Sequence, residues 1–538
     1  MSTSEDKLAP VLGLSLGSHY SALAVLTQEG KADVIANEDG DHLTPSVVAF
    51  GQDEEFSGTQ AKAQEGRNAA NTLVEFTALL GLPADSPVVE LHRSRHPFTL
   101  TSGDKGRLVY QVSRAEDAKE TYTPEQITTK LLTRLRESAQ AYVGADLSGV
   151  CLTIPAEVHP AALAEITSAC TAAGLPVLQF ISEPSAAILA YQAGKSPAEL
   201  RKIDENVLVF DFGGSSLKMA VVAVRGGTST ILGSSQNLEL GGAAFDELLM
   251  KHFANEFKRK HNIDITGNVK AEGKLRAECE RTKKTLSSST SAPCTVESLA
   301  QGMDLSGSLN RMRFDLMCSK VYGKVLSEVE SLLQKVDLRT DQISEVILVG
   351  GSSRIPKLQS RLASLFAGGS TRIRSEIAAD EVLARGAAVQ AGLLSDYASE
   401  DAELLASALK DETRKTSHTT KSVGVLDAQG TFHPILYHST PIPSRRIVRT
   451  KASSEGSAYV ALYEGEKDIP PPEEEEEGEA AIKVVPAERK LLAELVLTGL
   501  KADEEVELTV QAVAGGELRV GLRALDTATS ESCVIPVA

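Results

Sequence analysis

Three glycine-bearing turns carry the residue types that hold a phosphate chain: Leu12–Gly17 (L-G-L-S-L-G), Phe210–Ser216 (F-D-F-G-G-S-S) and Val346–Arg354 (V-I-L-V-G-G-S-S-R). Glycine permits φ > 0 and close backbone approach, so successive N–H groups converge on an anion without help from any side chain. A fourth segment, Cys279–Ser289, spaces Glu280, Lys283 and Ser287 by three and four residues. On a helix that spacing sets a carboxylate, an ammonium and a hydroxyl on one face. The glycine turns are suited to binding a nucleotide. Breaking its phosphate chain is a separate task, which depends on placed charge rather than on backbone N–H groups.

The elements that must position these groups follow from periodicity. Val11–Leu16 and Ala22–Leu26 read as strands around the turn Gly17–Tyr20, and Val207–Phe212 and Leu217–Val222 repeat the unit around Gly213-Gly214. One hairpin occurring twice, about two hundred residues apart, predicts a duplicated α/β domain with nucleotide between its halves. Pro184–Ala190 is predicted as a helix start, proline being favoured in the first turn. Phe245–Lys260, Gly273–Leu286 and Met317–Val336 are predicted helices, and Asp380–Leu394 a helix capped by Asp380. Asp396–His418 is polar and charged, with an apolar patch at Leu404, Leu405 and Leu409, and reads as a linker. Beyond it come strand-like runs at Lys421–Leu426, Arg446–Lys451, Ala458–Tyr463, Leu491–Leu497, Glu505–Ala512 and Leu518–Ala524, the pattern of a small antiparallel β-sandwich. Pro470–Pro472 followed by Glu473–Glu477 is predicted to be a solvated loop, since it has no apolar surface to bury. The expected division is a nucleotide-binding domain over 1–395, a linker over 396–418 and the sandwich over 419–538.

At 538 residues the chain exceeds one ordinary core. Its 73 acidic residues against 55 basic ones give a net charge of −18, which argues against non-specific binding to DNA or RNA. Arg445, Arg446, Arg449 and Lys451 form one local basic cluster, read as a solvated strand face. The six cysteines form no C-x-x-C pair, so they predict neither a zinc site nor a disulfide framework. The polar, acidic start and the lack of a long apolar run predict a cytoplasmic protein without a membrane span.

Several longer stretches resemble the seventy-kilodalton heat-shock chaperone family: Ile35–Phe50 (I-A-N-E-D-G-D-H-L-T-P-S-V-V-A-F), Ile181–Tyr191 (I-S-E-P-S-A-A-I-L-A-Y), Glu256–His261 (E-F-K-R-K-H), Cys279–Ser289 (C-E-R-T-K-K-T-L-S-S-S) and Leu348–Lys357 (L-V-G-G-S-S-R-I-P-K). The resemblance covers Leu12–Leu394 and, more loosely, the C-terminal part. It implies a two-lobed actin-like ATPase domain followed by a β-sandwich, with ATP at the base of the cleft. Carried over residue by residue, it implies a nucleotide site made of Gly17, Ser18, His19, Asp211, Gly213, Gly214, Ser215, Gly241, Gly242, Glu280, Lys283, Lys284, Ser287, Gly350, Gly351, Ser352, Arg354 and Asp380.

The catalytic side departs from the family. Its first phosphate loop reads D-L-G-T-T, where this chain has Ser15-Leu16-Gly17-Ser18-His19, so the aspartate that organises magnesium-bound water is Ser15. Its catalytic lysine is Thr77, within Glu75–Gly81, and Lys284 replaces an arginine that stacks on the base. In its D-x-G-G-G-T-F-D loop Asp211 is kept but the last aspartate is Lys218, while Glu183 matches a family carboxylate. Removing one electrostatic donor costs about a hundred- to a thousand-fold in rate. The substitutions at Ser15, Thr77 and Lys218 therefore leave no catalytic residue, a weakened magnesium site and negligible hydrolysis as the expectation, with binding retained.

The switching parts are reduced too. In the family's proline–arginine relay Pro155 is kept and the arginine is Leu163, and Gln179 stands where an arginine docks J-domains. Tyr463–Glu466 and Leu497–Leu500 match strand motifs of the family's substrate domain, and the chain stops at Ala538 where the family continues into a helical lid, so a sandwich lacking that lid is the expectation. The pattern is similar to the atypical members found in ribosome-associated complexes. It implies a stable pair with a zuotin-type J-protein, ribosome contact mainly through that partner, and assistance to a catalytically competent chaperone of the same family. Two other functions compatible with the resemblance are an ATP-hydrolysing peptide-binding chaperone and a nucleotide-exchange factor.

Overall fold

The computed structural model describes residues 10–27, 29–103, 106–114, 119–400, 419, 421–427, 430–438, 440, 442–465, 489–513 and 517–536, with backbone only for 395–400. These form two compact units: Met1–Lys195 with Val207–Val221 and Gly233–Lys410, and Ser196–Asn206 with Val222–Leu232 and Asp411–Ala538.

Two of the sheets share one strand order. In one, Val11–Leu16 pairs antiparallel with Tyr20–Leu26 (Ser15 opposite Ala22) and parallel with Gly149–Ile154 (Leu14 opposite Leu152); Val177–Ser182 and Ala32–Val34 flank these. In the other the order is Thr228–Asn237, Leu217–Arg225, Asp204–Phe212, Glu345–Val349, Arg372–Arg374, with Asp211 opposite Val349 in a parallel pair. The duplication read from two hairpins thus extends to five strands in each half. Leu12, Leu14, Leu208, Phe210 and Phe212 are wholly buried, as befits strands covered on both faces. Phe212, Phe245 and Tyr322 pack ring on ring, with centroids 6.0 and 5.6 Å apart.

Helices complete the cleft. Glu183–Gln192 is capped by Ser182, whose hydroxyl accepts from the Ser185 amide, with proline in the first turn as expected. Gly242–His261 and Val269–Ser288 are both longer than predicted. The predicted Met317–Val336 helix is present as Ser319–Lys335, and a short unpredicted helix, Arg311–Met317, precedes it with Cys318 between them. The last helix runs Val382–Glu400, starting later and ending later than predicted. Asp380 is not its cap: the Asp380 carboxylate accepts from the Arg354 guanidinium, a charge-assisted partner that a backbone amide does not match. The helix reaches into the span read as linker, because nothing after Gly392 in A-G-L-L-S-D-Y-A-S-E breaks a helix. Against Glu183–Gln192 it packs backbone to backbone: a Cβ on Gly386 would fall 1.8 Å from the Ala186 carbonyl oxygen.

The second unit contains two antiparallel four-stranded sheets, ordered Phe432–Leu436, Ser422–Leu426, Ser457–Gly465, Lys490–Thr498 and Ser444–Lys451, Glu505–Val513, Glu517–Ala524, Ser530–Pro536. Val506, Leu508, Val510 and Ala512 alternate inward and meet Leu518, Val520, Leu522 and Ala524 in one core, as the period of two requires. Phe432–Leu436 and Ser530–Pro536 were not predicted. Pro434 interrupts the first and S-E-S opens the second, and both are edge strands, where such residues are tolerated. The basic cluster lies on exposed Ser444–Lys451, where Arg449 meets Glu505 and Glu507 at 3.9 and 3.6 Å. Leu404, Leu405, Leu409 and Pro470–Glu477 lie outside the described residues.

Candidate functional site

The three glycine turns line one cleft of about 630 Å³, within the size range of small-molecule and cofactor sites. The first turn follows Val11–Leu16, and the Gly17 carbonyl accepts from Ser46 Oγ at 2.7 Å and Thr77 Oγ1 at 3.5 Å. The second is tied to the first by the Ser18 and Ser215 hydroxyls, 2.7 Å apart. It is braced from behind by the Gly242–His261 helix, whose Gly242 and Ala243 amides donate to the Gly213 and Gly214 carbonyls at 3.0 and 2.8 Å. The third depends on Gly350, at φ +80°, where a Cβ would stand 2.5 Å from the Phe212 carbonyl and 2.6 Å from Asp211 Oδ1.

Of the residues predicted for the site, Ser15, Gly17, Ser18, His19, Asp211, Gly213, Gly214, Lys218, Glu280, Lys283, Lys284, Ser287, Gly350, Gly351, Ser352, Arg354 and Asp380 line this cleft. Ser215, Gly241, Gly242 and Thr77 do not; Ser215, Gly242 and Thr77 bond to the turns from behind, and Gly241 caps the bracing helix. Glu280 is held by three groups: Oε2 accepts from Lys62 at 2.9 Å, and Oε1 accepts from Lys284 at 2.8 Å and from the Tyr20 hydroxyl at 3.2 Å. Burial opposes its ionisation, but Lys62 and Lys284 outweigh burial and hold the carboxyl far below the usual range. Lys284, predicted to forgo stacking, places its ammonium 4.7 Å above the Tyr20 ring. Lys283 donates to Asp246 at 2.5 Å and to the Gly242 carbonyl at 3.0 Å, so it ties the Val269–Ser288 helix to the bracing helix. The sequence reading missed Lys62, Tyr20 and Asp246. Lys62 and Tyr20 lie 218 and 260 residues from Glu280 and no local spacing marks them.

Lys218 sits among carboxylates. Its ammonium donates to both oxygens of Glu183, at 2.6 and 2.7 Å, and lies 3.6 Å from Asp211 Oδ2. Burial works against the ammonium, yet Glu183 and Asp211 outweigh it and raise its pKa. Burial pushes the Asp211 carboxyl up to about 6; Lys218 opposes this and the Glu183 charge adds to it.

A model of the family described as "Hsp70 protein" matches residues 11–499. The chain belongs to the Hsp70 family. It is 35% identical over 539 residues to the ribosome-associated complex subunit SSZ1 of Saccharomyces cerevisiae, covering 96% of this chain and 98% of that protein. It is 34% identical to a heat shock protein 70 homologue of Schizosaccharomyces pombe, over 97% of this chain and 94% of the relative. A ribosome-associated molecular chaperone of Zygosaccharomyces rouxii is 35% identical over 85% of this chain and 72% of its own length.

Hsp70 proteins bind ATP, usually with Mg²⁺. The cleft has room for a nucleotide and is lined by the three glycine turns together with Glu280, Lys283, Lys284 and Ser287. Mg²⁺ takes oxygen ligands in near-octahedral array; beside the turns Ser15 presents a hydroxyl, Glu183 accepts from Lys218, and Asp211 faces the same ammonium. Away from the cleft, the Gln179 side-chain carbonyl accepts from Gln390 at 2.8 Å. No described helix is long and apolar enough to cross a membrane.

Proposed function

We propose that this protein binds ATP as a structural ligand without significant hydrolysis and serves as a scaffold subunit beside a zuotin-type J-protein at the ribosome. The observation that carries the reading is the Lys218 ammonium seated between Glu183 and Asp211. That position places a fixed positive charge where hydrolysis needs a hydrated metal. The backbone N–H groups of the turns at Gly17, Gly213-Gly214 and Gly350-Gly351 would hold the phosphates; Glu280, Lys283, Ser287 and Arg354 would frame the nucleoside. Thr77 supplies no charge for the γ-phosphate.

The partner reading rests on likeness to a relative named as a ribosome-associated complex subunit, with nearly complete coverage of both chains. On this reading the protein is cytoplasmic, its J-protein makes the ribosome contact, and a competent chaperone of the same family performs the ATP-driven work. The division into 1–395, 396–418 and 419–538 belongs to the same proposal. The test is reconstitution with the J-protein of the same organism. Co-elution in a one-to-one complex that stimulates the ATPase of a competent Hsp70 supports it; separate elution, or stimulation by the J-protein alone to the same level, contradicts it.

A further inference from the structure

Behind the first glycine turn, three imidazoles converge on one buried carboxylate. Glu75 is 4% exposed and sits in the left-handed region, φ 56°, a conformation that a non-glycine residue seldom adopts. Its Oε2 lies 3.4 Å from His92 Nε2 and 3.6 Å from His96 Nε2, and its Oε1 lies 3.3 Å from His19 Nε2. Among the described residues these three histidines are its ion-pair partners, with no lysine or arginine among them. His96 Nε2 is buried and has no hydrogen-bond partner, although its side chain is only 9% exposed and faces Glu75.

We propose that Glu75, His92 and His96 form a site for a divalent transition-metal ion of the zinc class. The donor atoms of these three residues all lie within 4.8 Å of one another. Ligands about 2.0 Å from a tetrahedral ion stand about 3.3 Å apart, close to the observed separations from Glu75. His92 and His96 have H-x₃-H spacing, one at the end of the Pro87–Arg95 helix and one just after it, and two imidazoles with a glutamate form a familiar zinc set. A proton shared with one imidazole would leave the His96 lone pair unused, whereas a metal ion engages all three residues at once. A cavity of about 220 Å³, walled in part by Arg95, Glu272 and Arg276, adjoins the cluster and leaves room for water as a further ligand. His19 would act from outside the coordination sphere, holding the second oxygen of Glu75. It also lies against Gly214, so the ion would pin the segment carrying Thr77 to the phosphate turns.

The test uses the full-length, tag-free protein stripped with chelator and titrated with Co²⁺, read by visible absorption, followed by Zn²⁺. One equivalent of Co²⁺ with ligand-field bands and no thiolate charge-transfer band, displaced by Zn²⁺, is the expected result. His92→Gln with His96→Gln abolishes the bands and the Zn²⁺-induced rise in melting temperature. His19→Gln weakens binding by about 10–100-fold, as loss of an outer partner does, and His433→Gln leaves it unchanged. Absence of stoichiometric binding, a thiolate band, or binding unaffected by the double variant overturns the proposal. Should the double variant not melt cooperatively, anomalous scattering at the zinc edge from wild-type crystals soaked in Zn²⁺ decides: a peak between the three side chains supports the site, and a peak elsewhere or none refutes it.

Discussion

Replacing Lys218 by methionine keeps most of its volume and removes its charge. At about 3 Å and an effective dielectric of about 20, the gross attraction to one carboxylate is about 5–6 kcal/mol. Part of this is offset because the ammonium no longer has to be desolvated. Breaking a fully buried pair costs about 3–5 kcal/mol and an exposed one about 0–1. The Lys218 side chain is a quarter exposed while Glu183 and Asp211 are 13% and 11% exposed, so a loss of about 2–3 kcal/mol is expected. That corresponds to a fall in melting temperature of about 2–4 °C for a unit of this size. The dependence on pH has a definite sign. Asp211 has a folded pKa raised to about 6, so its contribution favours the fold at low pH and is lost as pH rises through that value. Without Lys218 the repulsion from Glu183 is unshielded and the raised pKa moves higher. The deficit of Lys218→Met is therefore largest above neutral pH and shrinks toward pH 4. Mg²⁺ is inert toward wild-type stability and restores part of the loss in the variant, because the two freed carboxylates can then share an ion. Thermal and urea melts across pH, with and without Mg²⁺, measure all three effects. Unchanged stability in Lys218→Met, or a Mg²⁺ response in the wild type as large as in the variant, would refute this reasoning.

Other consequences are directly measurable. Gly350→Ala places a Cβ 2.5 Å from the Phe212 carbonyl at a positive φ, so nucleotide binding measured by calorimetry falls at least tenfold and stability drops by about 1–3 kcal/mol. Gly386→Ala drives a Cβ against the Ala186 carbonyl and destabilises the first unit by about 3 kcal/mol, seen as a lower urea midpoint. Lys62→Met removes one of the two cations on buried Glu280 and costs about 1–2 kcal/mol, with weaker nucleotide affinity, whereas Lys31→Met, an exposed pair with Glu29, changes stability by less than about 0.5 kcal/mol. Thr77→Lys alone does not restore ATP turnover, since Lys218 and Ser15 still disfavour a hydrated metal; steady-state phosphate release from that variant checks this.

The parts of the site that rest on backbone were legible in the sequence. Turns such as D-F-G-G-S-S and L-V-G-G-S-S-R announce themselves by paired glycines, of which Gly214 and Gly350 leave no room for a Cβ, and short apolar runs marked the strands beside them. The charge reversal at Lys218 was also visible, but its consequence was not: Glu183 is 35 residues away, and only the fold brings the two within 2.6 Å. The same holds for Lys62 and Tyr20 around Glu280, and for His19 and Glu75, which only the fold brings to the His92–His96 pair. Element ends were misread where tertiary partners outrank local preference. Asp380 looked like a helix cap, yet Arg354 claims its carboxylate. Edge strands such as Ser530–Pro536 escaped because a strand that pairs on one side needs little apolar patterning.

The central claim is that the cleft holds ATP and leaves it intact. A single-turnover assay tests it most directly: excess protein is mixed with γ-labelled ATP, the bound fraction is isolated over hours, and its nucleotide is identified. Intact ATP in the bound fraction at every time point, with or without Mg²⁺, is the predicted result. Bound ADP with released phosphate would contradict the account and return this protein to the hydrolysing chaperones of its family.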